Sequence, residues 1–337
     1  GQDGGKRAAR PEYAQRLGAG RGTDALEPQL ADHGLQDAQI HRNVVDQQEA
    51  ERPERKLRRL LRFGCMFLHG LRIGDLRQLE NEVAALVRLA FHAQRAAHSD
   101  RDVPEECRLA VERAAAERAG GRPLQYILGR WGFLRLTLEV GEGVLIPRPE
   151  TELLCLAAAD RLRAAADRPL RVYDLCAGSG CVGLGLASLL KGVEVTAVEL
   201  SPEAFVYLER NCEAYPAYAV RPVLADICRD AGRFPDRADA ILSNPPYIPA
   251  GELPGLQREV RREPRMALDG GDGLRFYRVI ADAWLPKLVP GGFVAVEVGI
   301  GQAEAVAELF AQAGLKDVGI LPDYAGIGRV VLGFRPI

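Results

Sequence analysis

The chain has 337 residues, room for one large domain beside a smaller one, and its net charge of −2 speaks against a surface built to coat nucleic acid. Its seven cysteines form no C-x-x-C pair, which points to a reduced, cytoplasmic interior rather than a disulfide framework or a zinc site, and no metal is expected. No histidine lies beyond position 98, so the remainder lacks the base of a Ser-His-Asp hydrolase and the imidazole ligands of His-based metalloenzymes. Chemistry there must run on carboxylates, amides, hydroxyls, thiols and backbone groups. No run reaches the roughly 18 apolar residues of a membrane span, and no charged-then-apolar start reads as a secretory signal.

Residues 1–65 are rich in Arg, Gln, Asp, Gly and Ala, show no sustained period, and precede the first methionine, Met66. They read as a disordered tail or a non-native extension, because such composition buries too little surface to offset chain entropy. From Leu76 onward, Leu79, Val83, Leu86, Val87 and Ala90 make one helical stripe. A second helix is expected from Pro104, capped by Asp102 and stopped by Gly120-Gly121. Together these predict a small helical substrate-recognition domain over 66–121. Leu134, Leu136, Leu138 and Val140 then alternate with Arg135, Thr137 and Glu139, the pattern of a half-buried strand. With Tyr126-Ile127-Leu128 before a turn at Gly129, this predicts a hairpin linker over 122–142.

Over 143–337 a helix is expected near 150–166. Strands at 170–175, 193–198, 220–225, 238–243 and 293–298 then alternate with helices near 181–190, 202–212, 273–288 and 302–313. Such alternation implies an α/β fold, a parallel sheet covered on both faces. The last stretch, 316–321 and 328–334 around Asp323-Tyr324-Ala325-Gly326, reads as an antiparallel edge.

Val172-Tyr173-Asp174-Leu175-Cys176-Ala177-Gly178-Ser179-Gly180 is a strand running into a glycine turn before a helix, where backbone can approach a ligand closely. One strand later, Glu199 places a carboxylate where it can accept hydrogen bonds from both ribose hydroxyls of an adenosine cofactor. Gly178-Ser179-Gly180-Cys181-Val182-Gly183 also matches G-x-G-x-x-G, which keeps a nicotinamide enzyme in view. Asp174 separates the two: a carboxylate beside the turn repels a pyrophosphate but suits the ammonium and sulfonium of S-adenosylmethionine. Asp226, after the third strand, is placed to bond an adenine amino group while Ile227 covers the ring; an isolated Asp there also suits a turn.

Asn244-Pro245-Pro246-Tyr247 begins at the carboxyl end of the buried strand Ala240-Ile241-Leu242-Ser243, the edge where open α/β sheets bind ligands. An amide nitrogen is a poor nucleophile because its lone pair is delocalised. The Asn244 side-chain oxygen and the Pro245 carbonyl can each take one N–H of an incoming –NH2 and aim its lone pair. Prolines 245 and 246 remove two donors and fix φ, and Tyr247 can lie against the planar group.

Several further segments accompany these. They are Pro123 through Gly129, Val144 through Glu152 with its Pro147-Arg148-Pro149-Glu150-Thr151-Glu152 run, Glu263-Pro264, Ala267-Leu268, Gly271 through Leu274, Glu297-Val298-Gly299 with Gln302, and Asp323 through Val330. On these the sequence resembles the HemK/PrmC family of protein-glutamine methyltransferases that modify peptide-chain release factors. The resemblance implies a class I methyltransferase, a Rossmann-like seven-stranded sheet with its last strand antiparallel, behind a small N-terminal helical domain. It implies S-adenosylmethionine held by Cys176, Ala177, Gly178, Ser179, Gly180, Glu199, Ile227 and Asn244, with the substrate glutamine on Asn244, Pro245, Pro246 and Tyr247. It also implies a release factor as partner, in the Gly-Gly-Gln loop, with no membrane or direct nucleic-acid partner and a monomeric enzyme. Two departures stand out. Cys176 replaces the usual glycine, where it preserves the turn if its φ is negative, and Ile227 replaces a frequent aromatic. The alternatives are an adenine amino methyltransferase on DNA or RNA, a glutamine methyltransferase of a ribosomal protein, and an inactive adenosine-binding scaffold.

Overall fold

The computed structural model describes residues 105–163, 168–235 and 237–337. The expected stripe over 76–90, most of the helical domain, the Asp102 cap and the 1–65 segment lie outside the described residues.

Helix α1, Glu105–Ala119, stops at the glycine pair as expected and is held to the later loop by Arg118 donating to Glu259 at 2.7 Å. Next, residues 124–128 are not a strand, as the hairpin reading had them, but the short helix α2, Leu124–Leu128. Pro123 sets its entry and Gly129 closes it in the left-handed region at φ 70. The hairpin is instead β1, Arg130–Phe133, against β2, Leu136–Glu139, with Leu134 at φ 51 in the turn.

After α3, Thr151–Leu162, come β3, Leu170–Leu175, and α4, Cys181–Leu189. These are followed by β4, Val193–Glu199, α5, Pro202–Ala214, β5, Val220–Leu224, and β6, Ala238–Ser243. A short turn of helix α6, Arg265–Leu268, precedes α7, Arg275–Val279. The single helix expected near 273–288 is broken into this turn, a π-helical Ile280–Trp284 and a 3₁₀ turn over Leu285–Lys287, where Pro286 cannot continue an α ladder. Last are β7, Leu288–Glu297, α8, Ala303–Gln312, β8, Lys316–Pro322, and β9, Gly328–Phe334.

The seven strands lie in the order β5-β4-β3-β6-β7-β9-β8. β9 inserts antiparallel between β7 and β8, so the sheet is mixed as expected. In the central strands both faces are buried, with period 2, while the edge strands β5 and β8 are half-buried or exposed. Val172, Ala240, Leu242, Phe293 and Ala295 face α3, α4 and the hairpin residues Phe133, Leu136 and Leu138. Tyr173, Leu175, Ile241, Val294 and Val296 face Tyr277, Trp284, Val306 and Phe310 of α7, its continuation and α8. Among the described residues no helix is long and apolar enough to cross a membrane.

One buried amide ties the linker hairpin to α5 and the glycine turn. Asn211 of α5 accepts from Glu139 N at 2.7 Å and donates to Glu139 O at 3.0 Å and to Ser179 O at 2.9 Å. Removing a buried partner exposes the groups it satisfied to desolvation without compensation. Asn211→Ala is expected to destabilise the chain by about 2–4 kcal/mol, three bonds at roughly 1 kcal/mol each. Urea unfolding with an unchanged m-value checks this.

Candidate active site at the carboxyl ends of the parallel strands

The strand order reverses between β3 and β6, and the register there pairs Leu175 with Ser243. This sets the glycine turn after β3 beside the Asn244 loop after β6, at the switch point where such sheets bind ligands. Ser243 Oγ donates to Leu175 O at 2.6 Å and ties the two strand ends together.

In the turn, Gly178 and Gly180 have φ of 55 and 81. A Cβ on Gly180 would come within 2.7 Å of Leu208 Cδ1 and force that buried side chain to move, on top of the positive φ, whereas one on Gly178 would meet nothing within 4 Å. Cys176 departs from expectation: its φ is 60, not negative. The turn needs a left-handed residue at this position, which costs a non-glycine residue about 1–2 kcal/mol.

Glu199 ends β4, buried. Its Oε2 accepts from Gly178 N at 2.8 Å, and its Oε1 accepts from Leu200 N at 2.9 Å and Ser201 N at 2.7 Å. A carboxylate offers about four lone-pair directions, so three are already taken. The expectation that it grips both ribose hydroxyls narrows to one acceptor direction on Oε2. What Glu199 does within the chain is brace the glycine turn.

Asp174 lies beneath the turn with no exposed surface. Its Oδ2 accepts from Gly183 N at 2.8 Å, while its buried Oδ1 has no partner among the described residues. Burial pushes this carboxyl up to about 7, against the Gly183 bond that lowers it, and Glu199 adds to the rise.

Asn244 donates through Nδ2 to Thr151 Oγ1 at 3.1 Å, and Thr151 in turn donates to Glu297 Oε2 at 2.6 Å. Tyr247 Oη donates to Glu297 Oε1 at 3.3 Å, so its hydroxyl is engaged and its ring is not the only working part. Asn244 Oδ1 is buried without a partner among the described residues. Glu297, at the end of β7, is also pushed up to about 7 by burial, which outweighs the bonds from Thr151 and Tyr247 and the Arg329 cation. Gln302 closes the loop from behind, donating to Tyr247 O at 2.8 Å while accepting from Gly299 N at 2.9 Å. Gly270 packs so tightly that a Cβ would sit 2.7 Å from Tyr247 Cα.

Asp226 takes the turn role: its Oδ1 accepts from Cys228 N at 2.8 Å and its other oxygen lies 3.6 Å from Arg229. Ile227 is buried in the core with Tyr173, Phe234 and Trp284, and its carbonyl accepts from Trp284 Nε1 at 2.9 Å. Thr151, Glu297, Gln302 and Asn211 are site-building residues that the reading of the sequence did not select. The signal for Glu297 was present, a carboxylate ending an apolar strand as Glu199 does and Asp174 nearly does.

Four buried side-chain polar atoms lack partners among the described residues, and three of them are Asp174 Oδ1, Ser179 Oγ and Asn244 Oδ1. All three lie on the two adjacent strand ends. The donor set, two carboxylates around an open glycine turn, fits a cationic adenosine cofactor and opposes a pyrophosphate. Fold and site together define a class I S-adenosylmethionine-dependent methyltransferase.

Comparison with known proteins gives the family. Residues 157–268 match the model of the Methyltransferase small domain. The release factor glutamine methyltransferase of Geobacter sulfurreducens is 45% identical over 232 residues, 68% of this chain and 79% of that protein. That of Bordetella pertussis is 39% identical over 239 residues, 71% and 87% of the two chains. A solved protein-(glutamine-N5) methyltransferase (release factor-specific) from Alicyclobacillus acidocaldarius shares 35% identity, covering 59% of this chain and 99% of that one, with a TM-score of 0.38. The chain belongs to the release factor glutamine methyltransferase family. These relatives do not favour the nicotinamide or adenine amino alternatives.

Two outcomes follow from this geometry. Cys176→Gly should be more stable than Cys176→Ala by about 1 kcal/mol, because both lose the thiol and only alanine keeps the left-handed strain. Parallel denaturant titrations measure the difference. The second concerns pH. Asp174 has a folded pKa above its unfolded one, so its ionisation removes stability as pH rises from about 4 through about 7. Asp174→Asn should therefore gain stability relative to the parent as pH is raised from 4.5 to 7.5, in the absence of cofactor. An unchanging difference across that range would contradict the assignment.

Proposed function

We propose that the chain transfers the methyl group of S-adenosylmethionine to the side-chain amide nitrogen of a glutamine in a peptide-chain release factor, in its Gly-Gly-Gln loop. The observation that carries this reading is Asn244, whose Nδ2 is held by Thr151 and whose Oδ1 is a buried acceptor with no partner among the described residues. An acceptor so placed, followed at once by the Pro245 carbonyl, matches the two N–H groups of a primary amide. The family relation supplies the substrate class, since the relatives are named for release factor glutamine methylation.

When bound, S-adenosylmethionine supplies an electrophilic methyl group on a sulfonium. The glycine turn from Cys176 to Gly180, with Asp174 and Glu199, would hold it, and the turn at Asp226 and Ile227 would border its adenine. Asn244 and Pro245 would accept from the glutamine –NH2 and orient its lone pair toward the methyl group, with Tyr247 beside them. Alignment of this kind supplies up to roughly 7–11 kcal/mol of the barrier reduction. No strong base is needed, because a methylated amide nitrogen carrying an extra proton loses it readily to water.

Incubating the full chain with a release factor and S-adenosylmethionine should add one methyl group to the Gly-Gly-Gln glutamine, read by mass spectrometry of the peptide. Asn244→Ala should lower single-turnover methyl transfer by about 100-fold or more, as loss of an acceptor that tightens in the transition state. Parental transfer by that variant would remove this loop from the chemistry.

A further inference from the structure

We propose that Thr151 is a positioning residue, which together with Glu297 decides which end of the Asn244 side-chain amide faces the acceptor glutamine. The inference rests on the glutamine methyl-transfer reading and deepens it.

A threonine hydroxyl has one proton to give. Here it is given to Glu297 Oε2 at 2.6 Å, in a pair that is fully buried on the threonine side and nearly so on the glutamate side. With its proton committed, Thr151 Oγ1 can act toward Asn244 only as an acceptor, and it receives Nδ2 at 3.1 Å. The opposite amide orientation would set Asn244 Oδ1 against an oxygen with no proton left, lone pair against lone pair. It would also turn an N–H toward the incoming –NH2, which needs an acceptor. The amide is therefore held one way, with Oδ1 left over and buried.

Glu297 is fit for the anchoring role because all its side-chain partners here donate to it. Tyr247 Oη reaches its Oε1 at 3.3 Å, and Tyr277 Oη donates to its backbone carbonyl at 2.9 Å. Burial is the largest influence and pushes its carboxyl up to about 7, while the Arg329 guanidinium favours its charge and Glu150 opposes it. The comparison is therefore made at about pH 8, where the carboxylate form dominates. Thr151 opens α3, 146 residues from Glu297, so the contact joins the Pro147–Glu152 run to the end of β7. Arg148 and Glu263 anchor the same run beside it, with Ile146 N donating to Glu263 Oε2 at 3.0 Å.

The test uses the full chain, a release factor and radiolabelled S-adenosylmethionine, with cofactor affinity measured separately by calorimetry. Thr151→Val keeps the shape and deletes the hydroxyl. It should lower kcat by at least tenfold while cofactor Kd stays within about twofold, and Thr151→Ser should recover most of the rate. In an Asn244→Ala background, Thr151→Val should have no further effect, since there is no amide left to orient. If the buried isostere does not fold, Thr151→Ala makes the same comparison. Parental kcat in the hydroxyl-free variant, failure of serine to recover the rate, or full additivity with Asn244→Ala would each overturn the proposal. An unsubstituted enzyme that methylates no release-factor glutamine defeats the functional reading, and this inference with it. An active enzyme indifferent to Thr151→Val defeats the inference alone.

Discussion

The parallel pairing of Leu170–Leu175 with Ala238–Ser243 is the contact on which the site depends. These strands are separated in sequence by β4 and β5, and the chain returns to β3 only because the outward run of strands has ended. Their pairing in register brings a glycine turn and an asparagine-proline loop to the same edge, closer than any local motif could. Six consecutive buried positions in β6 make that register hard to slip, since a one-residue shift would exchange Ala240 and Leu242 with Ile241 between two different cores. Chemistry at the strand ends is thus positioned by packing in the middle of the sheet.

Around this edge three buried carboxylates are satisfied in three different ways. Glu199 is held by three backbone N–H groups and braces the turn. Glu297 is held by two hydroxyls and sets the amide loop. Asp174 has one backbone bond and one bare oxygen. Burial raises the pKa of all three, and the order of their satisfaction fits the division of labour. The carboxylate with the least support from the chain is the one with capacity left for a cationic ligand.

Much of this was legible in the sequence because strands with both faces buried read as apolar runs, and helix amino termini as glycine or Ser-Pro signals. β3, β4 and β6 fall where the apolar runs place them, and the antiparallel final strand follows from the turn at Asp323. The misreadings were local. Tyr126-Ile127-Leu128 is too short for alternation to tell strand from a single helical turn, and Pro123 with Gly129 decided for the helix. Cys176 was read as tolerable at negative φ, but the turn imposes its own dihedral whatever residue occupies it. Glu297 was legible as a carboxylate closing an apolar strand and Thr151 only as part of a family pattern, but their contact was not, because spacing along the chain carries no trace of a hydrogen bond across 146 residues.

That contact also gives physical content to the Pro147–Glu152 run. Arg148 pairs with Glu263, Thr151 with Glu297, and Glu152 Oε1 accepts from Leu134 N at 2.8 Å in the hairpin turn. Three charged or polar side chains within five residues thus grip three remote parts of the chain: the loop after Asn244, the end of β7 and the linker. None of the three needs to touch a reacting atom for the run to matter. An enzyme without a histidine in this region, acting on a nitrogen that resists alkylation, has alignment as its main resource. Alignment survives only if the aligning loop cannot relax. Asn244 keeps its direction because Thr151 has already given its proton away, Thr151 because α3 is anchored on both sides, and α3 because the run before it is gripped at both ends. The precision of the chemical step is carried by a chain of buried partners in which each donor is already committed.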